Sequence, residues 1–428
     1  MFRAMKHAYL VETGRTIAPF ERPVGQMKVH TGTLAQAQER ILSRLGCKVQ
    51  RVASLDQIDR FPCLVADDDL FFTYHAAKRF VRAARQNSGQ DSSVPLQAAL
   101  AVSELTERFF PVLQGPQQED ESGQQLRSFG LYYITSPEQL TRLEAARLVP
   151  IPYRYTRITA RASRYFEESG RFVVPVSQVF MMPIRHWAAL LPVNLLGMTS
   201  HVLRHAAEHP FSAAALPLKA ALRSGSLRPS WWLSKTYFAG KGCRVAPSAH
   251  VEASILGRRV KIAPNAVVRN CILGDGVQIG PGAVVEGAVL GDRCMVNGSV
   301  LVRSVVAEEE VSLGTIFVQM SVLGRGSVLC PQAGFLDTSL RGDAQLNLDG
   351  RRIASGSRLL GGCLGDEAFL GPGVHVGSGF EIPNRCILLQ HPHDVVRDVD
   401  EAVPRGVWRL DRGRRRRNRE AADESRAA

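Results

Sequence analysis

Long hydrophobic runs are missing from this chain. Its longest apolar stretch, Trp187–Met198, is twelve residues, well short of the roughly 20 needed to cross a bilayer. The opening segment MFRAMKHAYLVETG has no apolar core of signal-peptide length. No membrane span is expected, and a reduced cytoplasmic setting is the default reading. Cysteine is sparse: eight residues in 428, scattered, with no CxxC pair. That spacing argues against a disulfide scaffold and against a zinc site. Cys271, Cys294, Cys330 and Cys386 fall among regularly spaced apolar positions and read as small core residues. Aromatic residues do not interleave the basic run Arg414–Arg417, so nucleic acid is not an expected partner. Residues 405–419 hold eight arginines against one acid, more than half of the formal +13. The surrounding composition is poor in apolar residues, and 393–428 reads as a basic, disordered tail.

What the chain does have is a repeat. Leu256-Gly257, Leu273-Gly274 and Leu290-Gly291 are seventeen residues apart, and Ile262, Ile279 and Val296 keep the same interval. Branched apolar anchors arrive at steps of five or six, which fits neither the 3.6 period of a helix nor the period of two of a strand. Such steps fit a solenoid whose coil has three short flat sides, each sending one residue inward. Glycine after the anchor and Pro264 and Pro281 in the same places mark corners, where a bulky side chain would clash. Leu323 to Leu340 and Leu329 to Leu346 read as a return of the phase, before an interruption near 347–357. Six-residue steps resume at Leu364-Gly365, Leu370-Gly371, Val376-Gly377 and Ile382. The pattern resembles the hexapeptide-repeat family over about 243–390. That resemblance implies a left-handed parallel β-helix, of eight or nine coils here, and a homotrimer. Crossover rules alone would favour the right hand.

Residues 5–205 do not repeat. HAYLVET, Cys47–Val52 and Cys63–Ala66 read as strands, and Thr33–Leu45 and His75–Arg85 as helices. Strands alternating with helices predict an α/β domain with a mostly parallel sheet, whose ligands gather at the carboxyl ends of strands. The Gly14 loop and the acidic triplet Asp67-Asp68-Asp69 both fall at such ends.

Gly14-Arg15-Thr16-Ile17-Ala18-Pro19 is similar to the Gly-rich loop of the sugar-phosphate nucleotidyltransferases. Asp67-Asp68-Asp69-Leu70-Phe71 is similar to that family's acidic strand end, and Ile184–Leu196 to a later segment with a Trp and an Asn. The whole resembles bifunctional N-acetylglucosamine-1-phosphate uridyltransferase-type proteins, an α/β domain followed by a β-helix. The resemblance implies attack of a sugar phosphate on a nucleoside triphosphate, in sugar-nucleotide or cell-envelope polysaccharide metabolism. Gly14, Arg15 and Thr16 would face the phosphates and Asp68 would hold Mg2+. The sequence departs from the family at four places, one being that Arg15-Thr16 reverses the order of the family's Thr-Arg. Glu12-Thr13 replaces an earlier glycine. Pro23-Val24 replaces Pro-Lys, which leaves Lys28 as the nearest substitute for a phosphate-reading catalytic lysine. Ala188-Ala189 stands where a second metal aspartate is found. A degenerate domain, acting as a scaffold that binds a sugar nucleotide without turnover, therefore stands beside an active one.

The expected divisions are 1–205 for the α/β domain, 206–240 for a helical joint, 241–392 for the β-helix and 393–428 for the tail. The joint carries Lys219, Arg223, Trp231 and Trp232. It reads as a cap over the first coil, with a membrane-surface helix as the alternative. Many hexapeptide proteins are acyltransferases that take acyl-CoA as co-substrate. In that reading His375 is the general base, with His391 and His393, oriented by Asp394, as second choices. The expected small-molecule partner is a sugar phosphate or nucleotide sugar.

Overall fold

The computed structural model describes residues 6–87, 93–120, 122–161, 170–225, 232, 235–391, 408–411 and 414–417. The α/β domain is built on β1 (His7–Val11), β2 (Lys48–Val52), β3 (Cys63–Asp67), β4 (Leu96–Ala101), β5 (Gln125–Ile134) and β6 (Arg147–Pro150). Their order in the sheet is β6-β4-β5-β3-β1-β2. β1 runs parallel to β2 and β3, and β6 to β4, while the long β5 is antiparallel to both neighbours. Central strands β1 and β3 are buried runs of small and branched residues, as a sheet covered on both faces requires. Helix α1 (Leu34–Arg44) starts at Thr33, whose hydroxyl and Gln36 form a capping box. Helix α2 (Tyr74–Asn87) follows the acidic triplet and packs Ala76, Ala77, Phe80, Val81 and Ala84 under the sheet.

The C-terminal half is a prism of stacked parallel rungs, consistent with a left-handed β-helix. Two of its faces carry eight strands each and the third carries five. At about 4.8 Å per step, eight rungs span roughly 34 Å. Leu256, Leu273, Leu290, Ala307 and Leu323 stack on the first face. Ile262, Ile279, Val296, Leu313 and Leu329 stack on the second, and Val251, Val268, Val285, Val302 and Val318 on the third. These side chains form one buried core, which also takes Cys271 and Cys294.

The corner glycines act between rungs. A Cβ on Gly274 would lie 2.7 Å from the backbone of Gly291 and Asp292 on the next coil. The left-handed residue of that corner comes two positions later, at Arg259, Gly276, Arg293, Glu310, Glu367 and Arg385. Between the two, an acid or amide caps the preceding coil. Asp275 Oδ1 accepts from Arg258 N at 2.7 Å, Asp292 Oδ1 from Asp275 N at 2.8 Å, and Asn384 Oδ1 from Asp366 N at 2.8 Å.

The expected phase return is corrected by the structure. Leu323 pairs with Leu364, and Leu329 with Leu370. Leu340 is 78% exposed, and Leu346 lies in an antiparallel hairpin, Gln345–Leu348 with Arg351–Ala354. Their seventeen-residue spacing is coincidental, because the segment between the two rungs leaves the prism altogether. The hairpin clasps the α/β domain: Ala344, Leu346 and Leu360 share a core with Phe20, Phe110 and Trp187.

That shared core is the joint between the halves. On the first face the residue before each anchor points outward, and it is apolar: Ile272, Val289, Val306, Val322 and Cys363. The last three pack with Ile17, Met27, Leu190 and Leu191, while Ile272 and Val289 pack with Met198 of α3 (Leu190–Glu208). Each such burial is worth about 1.5–3 kcal/mol. A charged group is enclosed with them. Glu308 is 1% exposed, and its Oε1 accepts from Lys28 N at 2.9 Å and pairs with Arg22 Nη2 at 3.1 Å. Arg22 Nη1 also reaches Asp366 at 3.1 Å.

After α3, helices α4 (Pro210–Ala214) and α5 (Leu216–Ser224) lie against the first rung, where the Arg223 guanidinium sits 3.9 Å from the Tyr237 ring centre and donates to Tyr237 O. Among the described residues no helix is long and apolar enough to cross a membrane. Within the tail, Trp408–Asp411 pairs antiparallel with Arg414–Arg417.

Two stability effects follow. Arg22→Ala leaves Glu308 buried without its closest cation, and urea denaturation should show a loss of about 3 kcal/mol. Gly274→Ala forces backbone apart between rungs, and the same measurement should show a loss of about 1–3 kcal/mol.

Candidate functional site

The carboxyl ends of β1 and β3 meet under the loop that follows β1. Gly14 adopts φ +63 with nothing within 4 Å of the place a Cβ would occupy, so the turn is open to solvent. The loop closes on itself through Val24 N to Arg15 O at 2.9 Å, and Ile17 and Phe20 anchor it in the joint. Its tip reaches the acidic triplet. Thr13 donates twice to Asp68 Oδ1, from its amide at 3.0 Å and its hydroxyl at 2.6 Å. Arg15 Nη1 pairs with Asp69 Oδ2 at 3.0 Å, and Arg185 Nε approaches the same oxygen at 3.5 Å.

The triplet is held from below. Gln38 of α1 donates to the carbonyls of Asp67 and Leu70 at 2.9 and 2.8 Å, which fixes the turn. Gly130 of β5 lies against the Asp67 carboxylate, where a Cβ would collide with Oδ2. Asp68 and Asp69 are buried, at 5% and 2% exposure. Burial and then the neighbouring Asp69 push Asp67 up to about 6. Burial raises Asp69 as well, and Arg185 and Arg15 pull it back. Tyr132, beside Asp67, is pushed up to about 12, chiefly by burial.

The structure thus brings Gly14, Arg15 and Asp68 together, with Thr16 exposed on the same loop and bridged to Pro23. It puts Lys28 elsewhere: buried at the joint, its amide on Glu308 and its carbonyl receiving Asn194 Nδ2 at 3.0 Å. The Trp-and-Asn segment is likewise internal, since Trp187, Ala188, Ala189 and Asn194 are fully buried. His375 is exposed on the prism, in a strand paired with Gly334–Phe335. His391 is exposed, and His393 and Asp394 lie outside the described residues. Thr13 and Arg185 did not emerge from the sequence as site residues. Thr13 stood out only as a departure from a glycine, and Arg185 only as part of an apolar segment.

Residues 225–327 match the family model described as the GMPPB C-terminal domain, a β-helix region of nucleotidyltransferase-like proteins. The match begins at the residue that ends the last capping helix and runs through the rungs as far as the residue before the strand at Val328. Comparison with curated proteins finds no match.

The raised Asp67 gives a signed pH effect. Folded Asp67 holds its proton more tightly than the unfolded chain does, where the value is about 3.9. The stability it contributes is complete below that value and is lost as pH rises through about 6. Asp67→Asn removes this loss. Relative to the parent, the variant should gain stability in chemical denaturation at about pH 8 and none at about pH 4.

Proposed function

We propose that the α/β domain is a nucleotidyltransferase-like transferase site. It joins a sugar phosphate to the nucleoside monophosphate portion of a triphosphate, in sugar-nucleotide or cell-envelope polysaccharide metabolism. The observation that carries this reading is the convergence of the Gly14 loop, Arg15, Arg185 and the triplet at the carboxyl ends of two adjacent parallel strands, where α/β sheets bind ligands.

Each residue has a chemical task in this reading. The open backbone at Gly14 lets phosphate oxygens approach the loop amides. Arg15 and Arg185, with side chains 39% and 46% exposed, can exchange part of their contact with Asp69 for phosphate oxygens and offset charge on the phosphorus. Thr13 holds Asp68 Oδ1 in place, and Oδ2 takes part in neither of those bonds.

Magnesium is implied by this chemistry. Among the described residues no group of three His, Cys, Asp or Glu could hold a metal. Mg2+ in such sites takes one or two carboxylates and completes its shell with water and substrate phosphates, and Asp68 Oδ2 fits the single-carboxylate case. When bound, the ion would neutralise phosphate charge. Asp69, paired to two arginines, is assigned to orienting them. Lys28 is assigned to the joint.

The test is Mg2+-dependent release of pyrophosphate when the full chain is given each common nucleoside triphosphate with a panel of sugar 1-phosphates. Asp68→Ala should lower turnover by about 100-fold or more. Full activity in that variant would remove Asp68, and the transferase site with it.

A further inference from the structure

The capping helices carry an apolar stripe on the outside. Ala215 keeps right-handed helical dihedrals, its amide donates to Phe211 O at 3.0 Å, and Lys219 N donates to Ala215 O at 2.9 Å. α4 and α5 therefore run on as one helical segment. Phe211, Ala214, Leu218 and Leu222, at steps of three and four, fall on one face of it. Phe211 is 91% exposed, Leu218 65% and Leu222 74%. A helix packed on a protein core ordinarily turns its polar face outward.

The charge at this end of the prism is one-sided. Lys219 on α5, and Lys241, Arg244, Arg259 and Lys261 on the first two coils, are exposed and have no salt bridge among the described residues. The nearby acids are occupied: Glu252 by His250 and Arg269, and Asp275 by Arg258. Beside the stripe, a cleft of about 250 Å³ between the helices and the first rung is lined by His205, His209, Ser212, Lys219 and Arg223. An exposed apolar stripe next to a basic cleft, at the end of the prism whose first two coils carry these exposed cations, complements a surface that is apolar beneath and anionic on top.

We propose that this end of the molecule is a peripheral membrane-docking surface. Phe211, Leu218 and Leu222 enter the bilayer interface, and Lys219 with the cations of the first two coils meets anionic lipid headgroups. Docking here leaves the triplet and its loop untouched, so the proposal stands apart from the transferase reading.

The experiment is co-sedimentation of the full chain with vesicles of phosphatidylcholine alone and of phosphatidylcholine mixed with phosphatidylglycerol. The chain should sediment with the mixed vesicles, less so as salt rises. Phe211→Ser with Leu222→Ser should weaken binding by about tenfold or more. Lys219→Glu with Lys261→Glu should also weaken it, which covers the case in which the first pair disturbs the helices. Binding that survives both pairs would be the work of the arginine-rich tail and would overturn the proposal. So would failure to bind the mixed vesicles, including the case in which the serine pair instead changes the mass of the assembly in light scattering, making the stripe a contact between copies.

Discussion

Burial of Ile272, Val289, Val306, Val322 and Cys363 beneath the α/β domain makes one face of the prism apolar on both sides. Inward, that face supplies its share of the solenoid core; outward, it supplies the floor on which α3 and the loop after β1 are laid. The second face lacks this property, since Lys261, Gln278, Met295 and Ser312 precede its anchors. A stacked prism alone would present equivalent sides. The third face does carry outward apolar residues, Val267, Val284, Leu301 and Phe317, but they stay half-buried; among the described residues the first face alone is covered by the first domain and by the insertion between Leu329 and Leu370.

Charge follows the same economy in both buried places. Glu308 enters the joint with Arg22 and the Lys28 amide, and Asp69 enters the floor of the site with Arg15 and Arg185. An ionised carboxylate removed from water is tolerated only with such partners. The triplet is more crowded than the joint, with three carboxyl groups on successive residues, and Asp67 responds by holding its proton to about 6. Two arginines set against Asp69 make a less negative floor than three unpaired carboxylates would. That is the condition under which a polyanionic ligand can approach it.

Much of this was legible in the chain. The anchors of the first five coils stack as their spacing implied, because each must fill a fixed position in a narrow core, and the early strands and helices fall where their periodicity placed them. Which face the first domain covers was less legible, since the pairs Ile272-Leu273 and Val289-Leu290 of the first face have counterparts in Val267-Val268 and Val284-Val285 of the third, whose outward residues are only half-buried. The insertion was not legible. Leu340 and Leu346 kept the interval by chance, and spacing carries no information on whether a leucine faces the prism core. Arg185 was hidden for a different reason: it is brought to Asp69 by the path of the chain ahead of α3, and no local pattern marks a residue whose partner is more than a hundred positions away.

The loop after β1 belongs to the site and to the joint at once. Arg15 at its tip pairs with Asp69, and Arg22 near its end pairs with Glu308 of the prism. Between them Ile17 and Phe20 are fixed in the shared core. A phosphate-facing loop is useful only when its amides are held near the geometry the ligand needs, and in a free-standing α/β domain this segment would be a surface loop with exposed apolar residues. Here the β-helix supplies the surface that holds it. The prism is therefore a structural part of the site whatever chemistry it performs on its own faces, and the closeness of that packing sets how well the triplet and its arginines are aligned.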